Sequence, residues 1–218
     1  MSAYKIPKQK ARLLKQHHKM MRIGRKILQE TYGDNFVETV IRETDAEFEK
    51  LIPDIPYIGG KSNSLTETME QMTTLLALYR VLTRHGQSVE KIGALVHKMG
   101  QAWVDQFPML ARRLIGRFYM SSWNRKRIAE QAKVSQKRRH ADDFVREVVV
   151  GDGRTFDWGI NYLECGVVKF FRQQGAEAIA PYMCEIDNLL FPAIGIKLVR
   201  TGTIANGQTH CDFRFKRK

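Results

Sequence analysis

The chain has 218 residues, 43% of them hydrophobic and 27% charged, with 36 lysines and arginines against 23 acids for a formal charge of +13. This is the balance of an ordinary globular protein and excludes disordered, collagenous and membrane-spanning classes; no apolar run nears the ~20 residues that a bilayer-crossing helix needs. The length admits one large domain or two small ones.

In chain order, the first two-thirds read as helices. Gln9 to Thr31 carries Leu13, Leu14, Met20, Met21, Ile27 and Leu28 among lysines and arginines, with Gly33 as a stop. Phe36, Val40, Ile41, Phe48 and Leu51 form a second stripe ending at Pro53, and 53–63 is a loop by its Pro and Gly content. Ser64 and Glu67 have capping-box spacing before a helix through Leu65, Met69, Met72, Leu76 and Tyr79 that closes at Gly86. Ser88 caps another helix, and 108–140 is a basic helical stretch broken around Ser121-Ser122.

The pattern changes near Asp143. Residues 144–150 are β-branched, Gly151-Asp-Gly153 turns the chain, and Thr155 to Leu163 returns as a strand. Two short helices, Gly166–Gln174 and Ala176–Leu190, precede strands Ile196–Ile204 and Thr209–Phe215 around the hairpin signal Asn206-Gly207. The predicted class is α+β: N-terminal helices, then an antiparallel sheet interrupted by a helical pair. A basic helical segment, 1–52, packs on the α+β domain of 53–218 as one structural domain.

The basicity is segmental. Residues 1–29 hold nine basic side chains and no acid, and 112–139 hold ten against Glu130 alone. Such segments suit an anionic polymer, lipid headgroups or an acidic face of the same protein. With no DNA-reading motif beside them, specific nucleic-acid binding is not expected. The N-terminus is charged from Lys5 onward without an apolar core, so no secretory signal is expected. The three cysteines, Cys165, Cys184 and Cys211, are too scattered for a disulfide framework. A reducing cytoplasm is the expected compartment, with no membrane span and a possible homo-oligomer.

Chemistry concentrates in the last third, in Cys165, Cys184 with Asp187, and His210-Cys211-Asp212. Cys184 and Asp187 are i, i+3 on a predicted helix and share a face. A carboxylate raises a neighbouring thiol's pKa unless a cation or histidine intervenes, so the pair suits proton handling or an amidinium anchor, or else is a core cysteine with a solvated aspartate. A two-residue turn at Asn206-Gly207 would set Thr203 opposite His210 and Gly202 opposite Cys211. Thr201, Thr203, His210, Asp212 and Arg214 then share one face, and Cys211, Phe213, Phe215, Leu198 and Arg200 the other. Glycine opposite Cys211 would leave open space beside the thiol, at a pocket edge or under a covering helix. No metal is expected: the cysteine gaps are not a zinc spacing, and His210 and Cys211 point to opposite faces. His17, His18, His85, His97 and His140 read as surface residues.

Tyr182-Met-Cys184-Glu-Ile-Asp187, followed by Arg200-Thr-Gly-Thr203 and His210-Cys-Asp-Phe213, resembles the C-terminal signature of the L-2-amino-thiazoline-4-carboxylic acid hydrolase family. Gly59 to Thr66, Leu78-Tyr-Arg80, Gly86 and the position of Cys165 are also similar, so the resemblance spans about residues 55–216. It implies a hydrolase that opens a cyclic isothiourea or amidine-like ring to an N-carbamoyl product; no cofactor is expected. The roles it suggests are Cys184 or Cys211 as nucleophile, with Cys184 preferred, Asp187 as amidinium anchor or base, and His210 as acid/base. Asn63 would polarise the substrate or hold its carboxylate, and Cys165, Thr203 and Asp212 would complete the small-molecule site. The fold also resembles vinyl-reductase-like sensor domains, which keeps a non-catalytic ligand-binding reading open.

Overall fold

The computed structural model describes residues 7–217 and is α+β. Helix α1 (Pro7–Tyr32) stops at Gly33, whose φ of 78° is open to glycine and strained for other residues, and α2 (Asp34–Leu51) turns back from it. Then come α3 (Thr66–Arg84), α4 (Val89–Asp105), α5 (Met109–Tyr119) and α6 (Ser122–Ser135). Ser88 and Ser121 accept hydrogen bonds from Lys91 N at 3.4 Å and Asn124 N at 3.2 Å, so the expected Ser88 cap forms and the expected break at Ser121 is a cap as well.

Leu13, Leu28, Val40, Phe48, Leu76, Leu78, Phe170 and Phe171 belong to one buried cluster joining α1–α4 to α7 (Gly166–Gln173). Each such side chain stabilises the fold by about 1.5–3 kcal/mol over its exposed state. Lys10, Arg12 and Arg25 of α1 pair with Glu49, Glu70 and Glu38, so part of the N-terminal charge meets an acidic face of the same chain.

The sheet is antiparallel in the order β1–β2–β4–β3, from β1 (Val145–Val150), β2 (Trp158–Glu164), β3 (Ile196–Val199) and β4 (Cys211–Arg217). Its inner face carries Trp158, Ile160, Cys211, Phe213 and Phe215 into a second buried cluster with Phe191 and Ile194. The Phe215 ring lies 4.9 Å from both Trp158 and Phe191. On the outer face a polar ladder runs from Arg214 to Asn161 (2.9 Å) and from Asn161 to Glu147 (2.8 Å). Between β2 and β3 the chain forms α7, α8 (Ala180–Cys184) and α9 (Ile186–Ala193), the last two divided at Glu185.

Four local expectations are corrected. Ser64 does not cap α3: its hydroxyl donates to Gln131 at 2.6 Å, and Asn63 Oδ1 instead accepts from Leu65 N. Asn206-Gly207 is not a two-residue hairpin turn. The ladder ends at Val199↔Arg214, in the register the sequence implies, and 200–210 form a loop whose 3₁₀ turn is capped by Thr203 and closed by Gly207 at φ 82°. The space beyond Gly202 is taken by the Gln208 side chain rather than left open beside Cys211. His17 is buried, stacked on Phe48 at 4.1 Å, with Asp45 and Thr74 at its ring nitrogens.

Helix α5 is held differently from the rest. Gly116 is its one buried residue, because the Ile194 carbonyl occupies the space a side chain would need. Met109, Leu110, Leu114, Ile115 and Phe118 stay exposed, as does Trp123 of α6.

Candidate active site

The two buried clusters do not fuse. Between them lies a cavity of about 470 Å³, lined from the helical side by Met72, Leu75, Val96 and Met99 and from the sheet side by Ile160, Phe191, Phe213 and Phe215. Chain ends of several elements converge on it. Cys165 sits at the junction of β2 and α7, Cys184 ends α8, Asp187 lies in the first turn of α9, and Cys211 opens β4. Arg200 follows β3 onto the same wall.

Arg200 organises this wall. Its Nη1 donates to Asp187 Oδ2 at 2.8 Å and its Nη2 to the Cys184 carbonyl at 2.9 Å, while the guanidinium lies over the Phe213 ring at 5.0 Å. The Arg200 side chain is 5% accessible and that of Asp187 33%, so the carboxylate keeps an open side. Burial raises the Asp187 pKa to about 6, with Arg200 opposing the rise. Burial likewise pushes Cys165 up to about 12 and raises Cys184 and Cys211. The three thiols are therefore protonated at neutral pH, and the carboxylate is the group poised to exchange a proton there.

A second cation lines the cavity. Arg146 is 5% exposed and donates from Nη2 to Gln131 at 2.8 Å and Ser64 at 3.2 Å, with the Tyr162 phenol as a further partner. All three are neutral, since burial raises the Tyr162 pKa, and among the described residues Arg146 enters no ion pair. Tyr119 also faces the cavity with its pKa raised by burial, and Arg127 reaches the wall bonded to Asn124 at 3.0 Å.

Of the residues singled out from sequence, Cys165, Cys184, Asp187 and Cys211 come together on the cavity wall. Asn63, Thr203, His210 and Asp212 are not among the lining residues, and each has another occupation. Asn63 donates to the Ile58 carbonyl and to Asp143, fixing the loop before α3. Thr203 caps the 3₁₀ turn, and Asp212 accepts from Thr201 N, Gly202 N and the Thr201 hydroxyl. His210 is in contact with the Thr209 hydroxyl. Sequence reasoning missed Arg146 and the role of Arg200. The signals were a lone arginine in a β-branched strand, and an arginine that alternation puts on the face of Cys211 and Phe213.

Among the described residues no three of His, Cys, Asp and Glu converge as metal ligands, and no helix is long and apolar enough to cross a membrane. Fold and site define an α+β protein with a ligand-sized cavity between a helical layer and an antiparallel sheet, its acid, thiols and guanidinium groups facing inward. Over residues 66–215 the chain matches the L-2-amino-thiazoline-4-carboxylic acid hydrolase family, and it belongs to that family. No curated protein and no solved structure matches it.

Proposed function

We propose that the protein is a hydrolase that opens a cyclic isothiourea or amidine ring of the 2-aminothiazoline-4-carboxylate type to an N-carbamoyl product, with Asp187 as general base. The observation that carries this reading is that Asp187 is the one carboxylate among the described lining residues, and its pKa of about 6 suits proton exchange at neutral pH. Water adds to the ring carbon between nitrogen and sulfur while Asp187 takes its proton. The carbon–sulfur bond then breaks, and Asp187 returns that proton to the leaving sulfur. The water oxygen becomes the carbamoyl oxygen, and its second hydrogen ends on the ring nitrogen. Arg200 holds the carboxylate in place and limits the rise of its pKa.

Covalent attack by Cys184 would use the same base, but it must first draw a proton from a thiol that burial keeps protonated. Ring opening followed by thiol release separates the two routes. Asp187→Asn is expected to lower kcat by about 10²–10⁴-fold, and Cys184→Ser to keep it within about tenfold. A Cys184→Ser variant without turnover, together with a substrate-mass adduct on Cys184 in the parent, would transfer the nucleophile to the thiol. Binding without ring opening across a thiazoline panel would leave only ligand binding.

A further inference from the structure

The cavity is too large for the ring alone. A cavity of ~150 Å³ is filled by benzene, with about six heavy atoms, whereas 2-aminothiazoline-4-carboxylate has about nine. On that scale the 470 Å³ here corresponds to roughly 19 heavy atoms. The surplus wall is apolar: Met20 and Ile23 of α1, Met72 and Leu75 of α3, Met99 and Trp103 of α4. Its charge is one-sided as well: the described lining residues include three guanidinium groups (Arg127, Arg146, Arg200) and one carboxylate, that of Asp187. Arg200 is neutralised by that carboxylate, and among the described residues Arg146 has only neutral partners. A buried guanidinium without a counter-ion is costly, and an anionic ligand at hydrogen-bond distance relieves the cost.

We infer that the cavity takes an amphiphilic monoanion, its carboxylate on Arg146 and an alkyl or aryl body of roughly ten or more carbons against the walls from α1, α3 and α4. This deepens the ring-opening reading by giving the substrate an apolar body, and rests on that reading only for the chemistry at Asp187.

The test is calorimetric binding of butanoate, octanoate and dodecanoate, with dodecan-1-ol as the uncharged comparison. Affinity is expected to rise about fourfold per buried methylene up to dodecanoate, and the alcohol to bind at least about tenfold more weakly than the acid. Arg146→Gln should erase the preference for acid over alcohol while keeping the dependence on length. Met72→Trp, at a half-buried wall position, should shorten the preferred chain and serves if the Arg146 variant fails to fold. Affinity independent of chain length, an alcohol bound as tightly as the acid, or a length series unmoved by Met72→Trp would each overturn the inference. Length-dependent carboxylate binding without ring opening of any thiazoline would sink the hydrolase reading and leave this one standing. Turnover of the unsubstituted ring with length-independent binding would do the reverse.

Discussion

Asp187 carries a cost that its neighbours do not fully remove. Desolvation outweighs Arg200, so the carboxyl holds its proton more tightly in the folded chain, at about 6, than at the unfolded value of 3.8. A raised carboxyl pKa contributes stability that is fully present below pH 4 and lost as pH climbs through 6. Asp187→Asn, which mimics the neutral acid, should therefore gain thermal stability relative to the parent at pH 7.5 and not at pH 4. Melting curves at the two pH values check this. Activity should run the other way, rising with pH through about 6 as the base ionises. The Cys184–Asp187 pairing was legible because i, i+3 spacing survives even the break at Glu185. Asn63, Thr203 and Asp212 lie off the cavity because short polar residues in turns satisfy nearby backbone groups as readily as they bind ligands, and sequence does not separate the two; His210 lies off it beside the Thr209 hydroxyl.

At the scale of elements, most helix starts and stops followed their local signals: Gly33 stops α1, Ser88 caps α4 and the break falls at Ser121, whereas the Ser64 capping box does not form. What local signals could not give was close approach between elements. Helix α8, which ends in Cys184, lies so near α4 that a Cβ on Gly93 would stand 2.1 Å from the Tyr182 ring. Gly93→Ala must displace Tyr182, two residues before the thiol. The expected loss is about 1–3 kcal/mol, read from denaturant unfolding, with a changed alkylation rate at Cys184. Unchanged stability and reactivity would mean that the ring can move aside freely. The strand register of β3 and β4 was similarly readable from alternation, whereas the 200–210 loop was not, because its shape depends on Asp212 and Thr203 gripping backbone amides across the turn.

Across the whole molecule, the cavity exists because two cores meet without merging, and its wall draws on more chain than the family match covers. The match begins at residue 66, yet Met20 and Ile23 of α1 line the cavity and Leu13, Met21 and Leu28 belong to the buried helical cluster. The basic N-terminal helix is thus part of the container as well as a charged surface. Its composition advertised only the charge; its place in the wall depends on contacts with α2 and with α3 and α4 farther along the chain.

Helix α5 shows what a single buried glycine implies for motion. Ten residues of α3 are buried and one of α5, whose main hold on the core is the Tyr119 ring against Trp158, Phe191 and Phe215, so opening α5 exposes less apolar surface than opening α3 and costs less free energy. In deuterium exchange its amides should therefore be labelled well before those of α3. Phe118 and Tyr119 ride on this helix and belong to the cavity wall. A bound ligand that touches them must be released before the helix opens, so exchange in α5 should slow in proportion to occupancy. Dodecanoate that protects α3 alone, or no helix at all, would show that the wall and the helix open independently.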